Sequence, residues 1–257
     1  MTEFEGRAAL VTGASRGIGR AVAIRLAAGG ARVAAAARDA AALEALSAAA
    51  PAGAVLPLPL DLSRPEGPGD AVARAVAAFG GLDILVNNAG ATRRGDFLTL
   101  SEADWALGWD LKFFGAVRAT RAAWPHLVAR RGAVVTIGGV GGRVASAEFT
   151  VGGPVNAALM NLTKALADRG VADGVRVNLV NPGSVATDRL AGRINAKAQE
   201  AGVDAAKAAH LLAKETGVSR FGTPEEIAEA VAFLAGPRAA YVQGALLDVD
   251  GGWVRAV

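Results

Sequence analysis

Leu10-Val11-Thr12-Gly13-Ala14-Ser15-Arg16-Gly17-Ile18-Gly19 is the stretch whose reading decides the fold. Its first residues end a short apolar run over 8–12, and its last open a helical pattern over 17–28. A strand that turns through glycines straight into a helix leaves unpaired N–H groups and a positive dipole end at the turn. Gly13 permits a tight turn, Gly17 lets the backbone approach a pyrophosphate, and Gly19 lets helix and strand pack closely. Gly13, Ser15, Arg16, Gly17, Ile18 and Gly19 are therefore candidate contacts to a dinucleotide.

Outward from this turn, short apolar runs alternate with longer helical patterns. The runs at 8–12, 32–37, 55–60, 84–87, 133–137, 176–180 and 245–249 read as strands, with helices predicted over 17–28, 40–49, 69–79, 102–128, 154–169 and 224–234. Continuously apolar strands separated by helices indicate an α/β fold, a doubly wound parallel sheet of about seven strands with helices on both faces. Ligands of such sheets bind at the carboxyl ends of the strands. No linker or repeat divides residues 1–257, so one domain is expected, with 188–218 as a helical insertion placed to act as a lid.

The chain has no cysteine and two histidines, His126 and His210, which excludes a disulfide framework, a thiolate nucleophile and a Cys- or His-rich metal site. The absence of cysteine and of a basic-then-apolar leader fits a cytoplasmic protein. No run is apolar enough to span a bilayer. The net charge of +3 is modest and the arginine pairs are isolated, so neither a nucleic-acid nor a membrane partner is expected.

Thr12-Gly-x-x-x-Gly-Ile-Gly19, Asn87-Asn88-Ala89-Gly90, Asn181-Pro182-Gly183, the segment Arg220 to Ala228 and Asp248-Val-Asp-Gly-Gly252 together resemble the short-chain dehydrogenase/reductase family along essentially the whole chain. The resemblance implies a Rossmann-type NAD(P)-binding domain. By that resemblance Asp61 and Leu62 frame an adenine, and Asn87, Ala89 and Gly90 line the nucleotide groove. Pro182, Gly183, Val185 and Thr187 face the nicotinamide carboxamide. The second strand ends in Ala36-Ala37-Arg38, with no acid before Asp39. An acid there would hold a ribose 2′-hydroxyl, whereas Arg38 pairs with a 2′-phosphate, so NADP(H) is expected over NAD(H). Arg16 is a second base where phosphate-preferring members of the family often carry one. Similar proteins are commonly dimers or tetramers. A homo-oligomer is expected here, with Trp105, Trp109, Trp124 and Trp253 as candidates for contact area or core packing.

The same resemblance implies a proton-transfer set of asparagine, serine, tyrosine and lysine, and this chain lacks all four. The relay asparagine falls on Asp110, the serine on Gly139, the tyrosine on Gly152 and the lysine on Asn156. Bringing a tyrosine from about 10 to about 7 takes roughly 4 kcal/mol, which is the lysine's task. Neither glycine carries a side-chain proton, and Asn156 carries no charge. The one tyrosine, Tyr241, falls near the last strand, where packing is expected. Asp110 and Asn156 are the catalytic candidates, facing each other if the fold is kept, with Asp110 as base and Asn156 holding a ribose. A neutral, self-satisfied pair is the alternative. Gly152-Gly153-Pro154 reads as a helix start with Pro at the first helical position, which would free the Val155 and Asn156 N–H groups for an oxyanion. Glu148, Thr150 and His210 are further candidate proton donors. Gly152 is expected to open volume, and Gly139→Ser, Gly152→Tyr and Asn156→Lys together to restore carbonyl reduction. The activity expected is an oxidoreductase acting on a carbonyl or alcohol substrate through a non-standard proton relay. The alternatives are an inactive cofactor-binding homologue serving as sensor or partner subunit, and a non-redox lyase or isomerase using Asp110.

Overall fold

A computed structural model describes residues 2–255. Seven strands form one parallel sheet in the order β3-β2-β1-β4-β5-β6-β7. They are β1 (Ala8–Thr12), β2 (Arg32–Ala37), β3 (Val55–Pro59), β4 (Ile84–Asn87), β5 (Ala133–Ile137), β6 (Arg176–Pro182) and β7 (Leu246–Val249). The helices are α1 (Gly17–Ala28), α2 (Ala40–Ala49), α3 (Gly67–Phe79), α4 (Glu102–Leu107), α5 (Gly115–Arg130), α6 (Gly152–Asp173), α7 (Asp188–Ala201), α8 (Ala205–Thr216) and α9 (Pro224–Ala235). Chain order reverses direction between β3 and β4, so the β1–β4 boundary is the switch point at which such sheets bind ligands.

Successive strand residues face opposite layers. Leu10 packs with Leu85, Val134 and Leu127 on one face. Val11 packs with Val33, Val86, Val22 and Ile227 on the other. Both faces of β1 are buried, which is why its sequence is an unbroken apolar run. Burying each such leucine contributes about 1.5–3 kcal/mol.

The helix expected over 102–128 is three pieces. Ser101 and Asp104 form a capping box that starts α4. Residues Gly108–Phe114 then form a π-helical segment, in which the Gly115 N–H donates to the Asp110 carbonyl five residues back. α5 continues to Arg130 with Pro125 inside it and ends on Arg131 in the left-handed conformation. The helix expected to start at Pro154 starts at Gly152, and the Val155 N–H donates to the Val151 carbonyl. That bond takes the Val155 N–H out of the expected oxyanion pair of Val155 and Asn156, because the helix begins two residues earlier than proline position alone suggested. Segment 188–218 holds α7 and α8. Among the described residues no helix is long and apolar enough to cross a membrane.

Candidate active site

The loops after β1 to β6 enclose a cleft of about 1210 Å³ at the carboxyl edge of the sheet. The Asn88 side chain fixes its two central walls. Its Nδ2 donates to the carbonyls of Thr12 and Gly13, both at 3.0 Å. Thr12 Oγ1 in turn accepts from the N–H groups of Asn88 and Ala89 at 3.0 and 3.1 Å. Gly13, at φ +67°, has no room for a side chain, since a Cβ there would lie 2.9 Å from Ala89 Cα.

Gly13, Ser15, Arg16, Gly17, Ile18, Gly19, Arg38, Asp61, Leu62, Ala89, Gly90, Pro182, Gly183, Val185 and Thr187 all line the cleft, as does Asn156. Asn87, expected in the groove, does not line it. It is buried below the cleft floor, and its Nδ2 donates to Thr120 Oγ1 at 2.9 Å, because strand alternation turns it toward α5 while Asn88 faces the groove.

These residues fit a nicotinamide dinucleotide. α1 has no side-chain cap and no acid in its first turn, so its N–H groups and dipole face the cleft uncompensated, as an anion site requires. The Asp39 carboxylate caps α2, its Oδ1 accepting from Ala42 N at 3.0 Å. Arg38 is exposed, lines the cleft and has no ion pair among the described residues. Asp61 Oδ1 accepts from Ser63 N and Oγ at 3.0 and 2.7 Å, and these bonds hold its carboxyl below the usual range.

The proton-transfer region differs from the expected one. Asp110 does not face Asn156. The π-helical turn rotates it outward, where it lies 3.8 Å from Arg118 and is half-exposed. Lys112, two residues on, is rotated inward instead. Its Nζ donates to Asn156 Oδ1 at 2.6 Å and to the Gly138 carbonyl at 2.9 Å. The ammonium expected from position 156 on α6 therefore reaches the same neighbourhood from the opposite wall. Burial pushes the Lys112 ammonium down to about 7, and the nearby Arg189 charge adds to the shift.

Two glycine positions are also accounted for. Gly139 has φ +158°, a conformation that strains any side chain, and its N–H donates to Asn181 Oδ1 at 3.1 Å. Asn181 is itself fixed by Asp248, to whose Oδ1 its Nδ2 donates at 2.9 Å. Gly152 opens no volume, because a Cβ there would overlap the Phe149 ring. Phe149 occupies the place of the missing tyrosine, and the Arg94 guanidinium stacks 4.4 Å above it.

Glu148, Thr150 and His210 do not line the cleft. Glu148 and His210 are exposed, and the Thr150 hydroxyl is buried without a partner. Tyr241 is fully exposed and packs on nothing. Trp253 lines the cleft, Trp124 donates to Asp173 at 2.7 Å, and Trp105 and Trp109 stack edge-on with Phe97 and Phe113. The sequence reading gave Lys112, Phe149 and Asn88 no role. The signal for Lys112 was its place two residues past a vacant relay position in a chain missing its expected lysine.

Fold and cleft define a dinucleotide-binding α/β protein. Residues 13–254 match the family model described as enoyl-(acyl carrier protein) reductase. The chain is 36% identical to the 3-oxoacyl-[acyl-carrier-protein] reductase of Escherichia coli, over 97% of this chain and 98% of that one. It is 33% identical to the 2-keto-3-deoxy-L-fuconate dehydrogenase of Xanthomonas campestris, over 98% of this chain and 81% of that one. Among solved structures, L-sorbose reductase from Gluconobacter frateurii, complexed with NADPH and L-sorbose, superposes with a TM-score of 0.92 at 32% identity, covering 99% of this chain and 98% of that one. The chain belongs to the short-chain dehydrogenase/reductase family and is an oxidoreductase of that type.

Proposed function

We propose that this chain is an NADP(H)-dependent oxidoreductase that interconverts a carbonyl and an alcohol, with Lys112 holding the reaction's proton. The observation that carries this reading is the Lys112 ammonium clamped between Asn156 Oδ1 and the Gly138 carbonyl. A bound nicotinamide supplies or removes the hydride. The chain's own residues do the rest. Arg38 pairs with a 2′-phosphate, the glycine turn and the α1 N-terminus hold the pyrophosphate, and Pro182 to Thr187 form the wall at the nicotinamide end. Lys112 gives its proton to the carbonyl oxygen in reduction and takes it back in oxidation. Asn156 and Gly138 accept two of the ammonium's three hydrogen bonds and aim the third. α7 and α8 act as the lid, and Thr187 closes over Gly17. A cytoplasmic homodimer or homotetramer completes the reading. It is supported by exposed Phe114, Val171 and Tyr241.

Lys112→Met removes the proton and keeps the stem. It is expected to lower carbonyl reduction by about 10²–10⁴ while NADPH still binds. Reduction needs the charged form, so kcat/KM for reduction is level below about 7 and falls as pH rises through it. Oxidation needs the neutral amine and shows the opposite slope. Lys112 is one of five lysines, so ¹³C-methylated protein reports its titration directly by NMR. A Lys112 that titrates in the ordinary lysine range, or a Lys112→Met enzyme with undiminished turnover, sinks the assignment.

A further inference from the structure

Segment 188–218 has no specificity code legible in its sequence, yet the structure turns two of its arginines into the cleft. Arg189 and Arg193 lie one turn apart on α7, and Arg94 comes from the loop after β4. Arg189 Nη2 donates to the Gly90 carbonyl at 3.1 Å, and Arg193 Nη1 lies 3.5 Å from Ser184 Oγ. Arg94 lies over the Phe149 ring, and that ring lies against Gly141 and Gly152, the latter one helical turn before Asn156. With Lys112 these make four cations around one end of the cleft.

No carboxylate pairs with any of the three arginines among the described residues. The acids lining the cleft are Asp39, Asp61 and Asp188. Asp39 caps α2, Asp61 holds Ser63, and Asp188 lies 3.7 Å from Arg16. Glu148 lies near Arg94 but is exposed, and it does not line the cleft. Burial and then the neighbouring charge of Arg193 hold Arg94 below the usual arginine range. Burial and then Arg16 do the same to Arg189. Arginine does not shed its proton, so such a cluster is relieved only by an anion. The cofactor's phosphates answer to the glycine turn and Arg16. Arg16 sits in the glycine turn, whereas Arg94 stacks on Phe149 beside Gly141 and Gly152, so Arg94 lies toward the reacting end of the cleft.

We propose that Arg94 and Arg193 bind a carboxylate or phosphate group of the substrate, which makes the carbonyl compound an anionic one, such as an oxo acid. This rests on the oxidoreductase reading above. Two guanidinium forks match such a group in plane and charge. Phe149 holds one of them by stacking, and Lys112 lines the same cleft.

The test pairs charged carbonyl compounds with uncharged counterparts under saturating NADPH. The pairs are 2-oxobutyrate with its methyl ester, and dihydroxyacetone phosphate with dihydroxyacetone. Oxalate is titrated calorimetrically into the NADP⁺-loaded protein as a non-reducible probe. The charged member of at least one pair is expected to be preferred about tenfold or more in kcat/KM, and which pair shows it separates carboxylate from phosphate. In Arg94→Gln/Arg193→Gln that preference disappears and oxalate binds about tenfold more weakly, while NADPH affinity stays within about twofold. If the double variant does not fold, each single variant carries the same test with a partial loss. Turnover with no preference for the anion, or a folded variant with unchanged oxalate affinity, overturns the proposal. Oxalate binding that depends on the two arginines, with no turnover of any compound, sustains the anion site and removes the oxidoreductase reading instead.

Discussion

A serine installed at Gly139 would have to adopt φ near +158° with its Cβ 2.9 Å from the Asn156 amide nitrogen. A tyrosine at Gly152 would overlap Phe149. The overlap with Phe149 persists in the variant Gly139→Ser/Gly152→Tyr/Asn156→Lys, which is expected to lose about 1–3 kcal/mol from that overpacking, and to gain no reductase activity. It also places a second ammonium against Lys112. Thermal unfolding and NADPH oxidation with a carbonyl panel check both parts; a triple variant with unchanged Tm and new activity would show that Phe149 is displaced easily. The residue types were all legible in the sequence. What a linear reading could not supply was the neighbour of each glycine, because the partner that fills a missing side chain lies elsewhere on the chain or in an irregular loop.

At the level of elements, the strands were the most legible. Their unbroken apolar runs report burial on both faces, and four of the seven predicted strands agree with the sheet at both ends. The helix over 102–128 was seen as one amphipathic stretch, and the π-helical turn within it was not. One extra residue in a turn changes no residue type and only slightly changes periodicity, yet it rotates everything beyond it by about one residue's worth of angle. That rotation sends Asp110 to Arg118 and brings Lys112 to Asn156. Asp110→Asn accordingly removes only a part-exposed ion pair. It is expected to change turnover less than about twofold and stability by less than about 1 kcal/mol. A steady-state assay and a urea titration decide this; a hundredfold loss of turnover would restore Asp110 to the mechanism.

For the molecule as a whole, the cleft joins the loops after six strands and the start of α7, so filling it couples regions distant in sequence. A ligand at about 100 times its Kd adds roughly 2.7 kcal/mol of stability. NADPH is expected to raise Tm by several degrees, more than NADH at equal concentration, and Arg38→Asp to abolish that difference. Differential scanning fluorimetry reads it; equal shifts from both cofactors in the wild type would remove the NADP(H) assignment. The clasp from Lys112 to Asn156 has a further consequence, for descent. Returning lysine to position 156 while Lys112 stays would place two ammoniums in contact. Removing Lys112 while asparagine remains at 156 would leave neither position with an ammonium. Each single step passes through a worse state, so the two positions can change only together, and the chain is ratcheted into its exchange.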